Sequence, residues 1–115
     1  MPADVFNQRE KGFETKFRLD QEAEFKAEAR RNKLLGLWLA KKFGMGEYES
    51  AAYAKAVVIA DLEEPGVDDV VRKVMKDIGD RGTDIGEDDI RARLVEFLAT
   101  ARQQIAEEIP DAVDK

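Results

Sequence analysis

FETKFRLDQEAEFKAEARRNKLLGLWLAKKFG, residues 13–44, changes composition at Asn32 with no helix breaker at the change. Before Asn32 almost every position is charged or small. After it come Leu34, Leu35, Leu37, Trp38 and Leu39, apolar on almost every side of a helix. A helix of that profile is buried at one end and free at the other. The pattern predicts a helix over residues 20–43 in a protein that folds through its later residues and leaves its first thirty available to a partner.

Glycine and proline divide the rest of the chain into three more helices. Residues 47–64 are alanine-rich and carry an apolar face, Tyr48, Ala51, Ala52, Val58, Ile59 and Leu62, at three- and four-residue steps until Pro65-Gly66 ends it. Val67, Val70, Val71, Val74 and Ile78 follow at helical spacing and are closed by Gly79 and Gly82. Despite four valines, this segment reads as helix. Asp84 and Glu87 have capping-box spacing, and Ile90, Leu94, Phe97, Leu98, Ala101 and Ile105 form a continuous stripe until Pro110. With no alternating strand pattern anywhere, the expectation is an all-α fold: a four-helix bundle over residues 20–109, an N-terminal helical arm over 1–19 and a tail over 110–115.

Composition removes most chemistry. The 115 residues contain no Cys and no His, which excludes thiol nucleophiles, Ser-His pairs, the usual zinc sites, disulfides and a histidine pH switch. A non-enzymatic protein without cofactor or metal is expected. The formal net charge of -6 repels nucleic acid phosphates and anionic lipid. The first twenty residues are highly charged, and no apolar run approaches the roughly 20 residues of a membrane span, so a cytoplasmic protein without direct membrane insertion is expected.

The arm is aromatic where it is apolar. At about 100° per residue, Phe6, Phe13 and Phe17 fall within roughly 40° of one another on a helix, surrounded by Arg9, Glu10, Lys11, Glu14, Lys16 and Arg18. Glu14 and Arg18 are spaced for a stabilising pair, whereas Gly12 costs about 1 kcal/mol relative to Ala in a helix interior. Such a segment is helix-capable but marginally ordered alone, and gains order against a groove. The competing reading has the three rings cap the bundle.

The charged Phe-containing arm, the string Phe25-Lys26-Ala27-Glu28-Ala29-Arg30-Arg31-Asn32-Lys33-Leu34-Leu35-Gly36-Leu37-Trp38, then Ala52-Tyr53-Ala54-Lys55 and Glu63-Glu64-Pro65-Gly66, are similar to the ATPase inhibitor subunit zeta family of alphaproteobacteria. The resemblance covers nearly the whole chain. It implies a four-helix protein that binds the catalytic head of the rotary F-type ATP synthase and blocks ATP hydrolysis. In that family the inhibitory element is the N-terminal arm, which enters a catalytic interface beside the rotor; residues 1–19 match it here. On that reading Phe6, Phe13 and Phe17 anchor in apolar pockets, and Arg9, Lys11, Lys16 and Arg18 pair with carboxylates on the partner. The free protein is expected to be a monomer, and to sit at the cytoplasmic side of the inner membrane when bound.

Two other functions compete. The run Arg30-Arg31-Asn32-Lys33 beside Trp38 suggests an adenine-nucleotide patch, of Arg30, Arg31 and Lys33 with a stacking ring, in a nucleotide-sensing bundle, although no Walker motif accompanies it. The simpler expectation is a solvated charge run above a core tryptophan. The acidic run Asp61, Glu63, Glu64, Asp68 and Asp69 suggests an adaptor for another protein; like the run from Asp84 to Asp89, it lacks EF-hand spacing and is expected to serve helix N-termini.

Overall fold

The computed structural model describes residues 2–64 and 66–108, with side chains from residue 20 onward. Four helices account for almost all of them, and no strand occurs among the described residues: α1 Pro2–Lys42, α2 Glu47–Glu63, α3 Val67–Asp80 and α4 Glu87–Glu108. Pro2 opens α1, where a missing N–H costs nothing. The 41 residues of α1 make a helix about 60 Å long, which passes residue 20 without a break.

Two helices end in the same turn. Beyond α1, the Met45 N–H bonds the Ala40 carbonyl and the Gly44 N–H that of Lys41; beyond α3, Thr83 bonds Ile78 and Gly82 bonds Gly79. Both are Schellman closures, and the residue that must turn left-handed is glycine each time, Gly44 at φ 76° and Gly82 at φ 66°. α2 stops because Glu64 precedes a proline and is extended, at φ -133° and ψ 94°. The capping box expected at Asp84 does not form: the first bond of α4 runs from the Ile90 N–H to the Gly86 carbonyl, so Gly86 holds the cap and Asp84 lies outside it.

α1 is the central helix, packed against α2 on one side and α4 on the other, with α3 closing the bundle against both. Both neighbours run antiparallel to it. Gly36 meets Ala54 and Asn32 meets Asp61, whereas Trp38 meets Arg93 and Ala27 meets Ile105. The main core joins Leu35 and Leu39 of α1 to Val57, Val70, Val71, Val74, Ile78, Ile90 and Leu94. The α3 and α4 stripes are therefore as the spacing predicts, apart from Val67, which is exposed. A smaller cluster, Ala27 with Ala101 and Ile105, holds the other end of the bundle.

Gly36 sets the distance between α1 and α2. A Cβ built on it would lie 2.6 Å from the Ala54 Cα and 3.2 Å from the Ala54 Cβ. Only glycine opposite alanine lets the two backbones approach this closely, and the approach brings Val57 onto the Leu35–Leu39 seam.

Candidate partner interface

Where α1 leaves the bundle it is fastened by charge. Glu24 receives two hydrogen bonds from Arg102, from Nε at 3.0 Å and from an Nη at 2.6 Å. Arg30 donates to Gln104 at 2.8 Å and to Glu108 at 2.9 Å. The guanidinium of Arg102 holds the Glu24 carboxyl below its ordinary range, and that of Arg30 does the same for Glu108. Between these pairs only Ala27, Ala101 and Ile105 exclude water completely or nearly so.

A buried polar hub lies one turn further along. Asn32 is fully buried; its Oδ1 accepts from Arg31 Nε and its Nδ2 donates to Asp61 Oδ2, both at 3.0 Å. The other oxygen of Asp61 accepts the Gly66 N–H at 3.1 Å, and the Arg31 guanidinium stands 4.0 Å from the carboxylate. Asp61 thereby ties the turn between α2 and α3 to the middle of α1. It also serves the start of α3, as the acidic run suggests, by accepting the N–H of the cap residue Gly66, while Asp68 and Asp69 lie in the first turn of that helix. Unpartnered, these buried groups would each cost about 1–3 kcal/mol, but among the described residues no buried side-chain nitrogen or oxygen lacks a partner.

The residues of the nucleotide reading are dispersed. Arg30 turns to α4, Arg31 turns into the hub beside α2, and Lys33 is exposed. Trp38 is half-buried at the core edge, its ring between Lys42 at 5.6 Å and the Arg93 guanidinium at 4.8 Å. The solvated run above a core tryptophan is thus corrected twice, since Arg31 and Asn32 are inside and the indole is only partly so. Among the described residues no group of three acidic side chains is placed to hold a metal, and no helix is long and apolar enough to cross a membrane.

α2 differs from its sequence reading in which face is turned inward. Ala54 and Val57 are buried, with Tyr53 half-buried beside them and its hydroxyl donating to Asp77 at 2.7 Å. Burial and that hydrogen bond push the Tyr53 phenol well above its ordinary range. The face read from the spacing points the other way: Tyr48, Ala51, Ala52, Ile59 and Leu62 are exposed, and Val58 lies at the boundary. α2 is apolar on two sides, and a three- and four-residue step identifies a stripe without saying which of two stripes is covered.

The side chains of Phe6, Arg9, Lys11, Phe13, Lys16, Phe17 and Arg18 lie outside the described residues; their backbone belongs to α1. Sequence reasoning missed Glu24, Arg102 and Gly36, and the bond between Asp61 and Asn32. The ion-pair partners are far apart in sequence and leave no local signal, whereas a lone glycine inside a leucine run is a readable sign of close helix contact.

The arrangement is that of a small helical bundle whose central helix continues into an arm. The sequence model of one family, ATPase inhibitor subunit zeta, matches residues 3–104, and the chain belongs to that family of ATPase regulators. A solved structure titled "Solution NMR structure of the protein" is 46% identical, with a TM-score of 0.65, over 74% of this chain and 96% of that one. No curated protein gives a significant match.

Proposed function

We propose that this chain inhibits ATP hydrolysis by the F-type ATP synthase, seating residues 1–19 in the catalytic head while residues 20–109 act as the anchor. The observation that carries this reading is the unbroken helix from Pro2 to Lys42 within a chain of the ATPase inhibitor subunit zeta family. A blocker of a rotary machine needs no chemistry. It needs a helix that fits between moving surfaces, and a body that keeps that helix at high local concentration. α1 supplies both, because its later half is built into the core and its first half extends the same rod. Phe6, Phe13 and Phe17 enter apolar pockets and determine the release rate, while Arg9, Lys11, Lys16 and Arg18 steer the encounter. The free protein is a cytoplasmic monomer with no affinity for nucleic acid.

The test is to add the purified chain to the cognate catalytic head and measure ATP hydrolysis. Inhibition is expected to saturate. Phe13→Ala or Phe17→Ala weakens it by about 2 kcal/mol, roughly thirtyfold, through faster release and without a change in melting temperature. Absence of inhibition by saturating wild-type chain overturns the function, and full inhibition by both Phe variants overturns the role of the arm.

A further inference from the structure

We propose that the outward face of α2 is a second docking surface, which packs against an apolar helix of the same catalytic head that the arm engages. This inference rests on the function proposed above and adds the surface by which the bundle is held.

A solvent face of a helix is normally charged, and α3 conforms: Asp68, Arg72, Lys76 and Asp80 occupy its exposed side at four-residue steps. At similar steps the exposed side of α2 carries a stripe of Tyr48, Ala52, Lys55, Ile59 and Leu62, flanked by Ala51 on one side and Glu63 on the other, with Lys55 as the one charge within the stripe. Tyr48 is 88% exposed, Leu62 54% and Ile59 40%. The inner side of the same helix is already committed to the core through Ala54 and Val57. The shape suits a helix: Ala51 and Ala52 leave a shallow waist between Tyr48 and the Ile59–Leu62 pair, where another backbone can approach closely. Past Leu62 the surface continues onto α1, for a cavity of about 210 Å³ lies among Phe25, Val58, Asp61 and Leu62, and Phe25 is itself 59% exposed. Phe25 stands only six residues after residue 19, so this surface and the arm are borne by one rod and reach one partner.

Area selects the occupant. Tyr48 to Leu62 spans about 21 Å, and at a helix width near 10 Å the stripe presents roughly 200 Å². A stable dimer needs about 800 Å² on each partner, so two copies meeting through this face do not hold together. An auxiliary contact to a partner already held by the arm needs no such area, because the second contact forms at high effective concentration. The helix it receives is apolar and presents a carboxylate to Lys55.

The chain contains no Cys, so Ala51→Cys, exposed and beside the stripe, introduces a single site for an environment-sensitive fluorophore. On addition of the catalytic head the label is expected to shift to the blue and to become protected from iodide, while the same label at Lys76→Cys on α3 stays quenchable. Ile59→Glu combined with Leu62→Glu is expected to keep the melting temperature, both residues being exposed, and to speed release from the head about tenfold. A label at position 51 that remains as quenchable as in the free chain, while the labelled chain still inhibits, overturns the surface and spares the function. So does wild-type release by the double variant. Absence of binding by the wild-type chain overturns both. Concentration-dependent dimers in sedimentation, with the label protected when no head is present, overturn the proposed occupant in favour of a second copy.

Discussion

From Leu34 to Lys42, α1 is held by hydrocarbon: Leu35, Leu39 and Ala40 are fully buried, and Gly36 brings α2 to backbone contact. From residue 20 to Arg30, which the composition step reads as free, the same helix is held by a small cluster, Ala27, Ala101 and Ile105 with Ala23, Leu34 and Leu98 against it, and by the Glu24–Arg102 and Arg30–Glu108 ion pairs. Burial of apolar surface is insensitive to salt and pH, whereas exposed ion pairs are screened and contribute about 0–1 kcal/mol each. One rod is therefore fixed firmly at one end and lightly where the arm begins. Fold stability and the holding of α1 over residues 20–30 are therefore separable.

The largest expected effect lies at the firm end. Leu39→Ala removes a fully buried side chain from the seam shared by α1, α2, α3 and α4, and costs about 2–5 kcal/mol in urea unfolding. For a domain of this size that is a large part of the total stability. A loss below about 1 kcal/mol would mean that the firm end is no firmer than the base of the arm, and the contrast would fail.

The two halves were not equally legible in the sequence. The composition step at Asn32 announces the division, and the α3 and α4 stripes name their core residues, because an apolar residue every three or four positions has one strong solution when only one such stripe exists. α2 has two, so periodicity alone selected the uncovered one. Arg31 and Asn32 read as solvated because charge and amide are usually outside; what brings them in is Asp61, twenty-nine positions from Asn32, and no local pattern encodes that partner. The same holds for Glu24 with Arg102, seventy-eight apart. The arm's candidate residues rest on one aromatic stripe and on family resemblance, and their side chains lie outside the described residues.

The next effect is smaller and tests how tightly the firm end is packed. Gly36→Ala ordinarily gains about 1 kcal/mol in a helix interior. Here the added Cβ meets the Ala54 Cα at 2.6 Å, a backbone atom that cannot rotate aside, so α2 must move and overpacking costs about 1–3 kcal/mol. A net destabilisation of about 1 kcal/mol or more is expected. Gly79→Ala is the control, since a Cβ there meets nothing within 4 Å, and it is neutral or stabilising by up to about 1 kcal/mol. Equal urea midpoints for the two variants would show that α1 and α2 are not locked at this crossing.

The smallest effect separates the lightly held half by its pH dependence. Glu24 and Glu108 are both held below the ordinary glutamate value of 4.5, by Arg102 and Arg30. A carboxylate with a depressed folded value stabilises the fold fully above the unfolded value and loses that contribution as pH falls through the folded one, because the unfolded chain takes up the proton first. The loss therefore begins below about pH 4.5 and grows as acid is added. Glu24 retains 41% of its side-chain exposure, so screening limits its share to a few tenths of a kcal/mol. Many other carboxylates titrate in the same range, and the informative quantity is a difference between variants. Arg102→Gln removes the Glu24 partner, so its urea midpoint is expected to drop slightly less than that of wild type between pH 6 and pH 3.5. Leu39→Ala keeps the full wild-type drop, since it leaves both ion pairs in place. If Arg102→Gln also kept the full drop, Arg102 would not fasten α1 through Glu24, and this end of the helix would be held by the Arg30–Glu108 pair and the Ala27, Ala101 and Ile105 cluster.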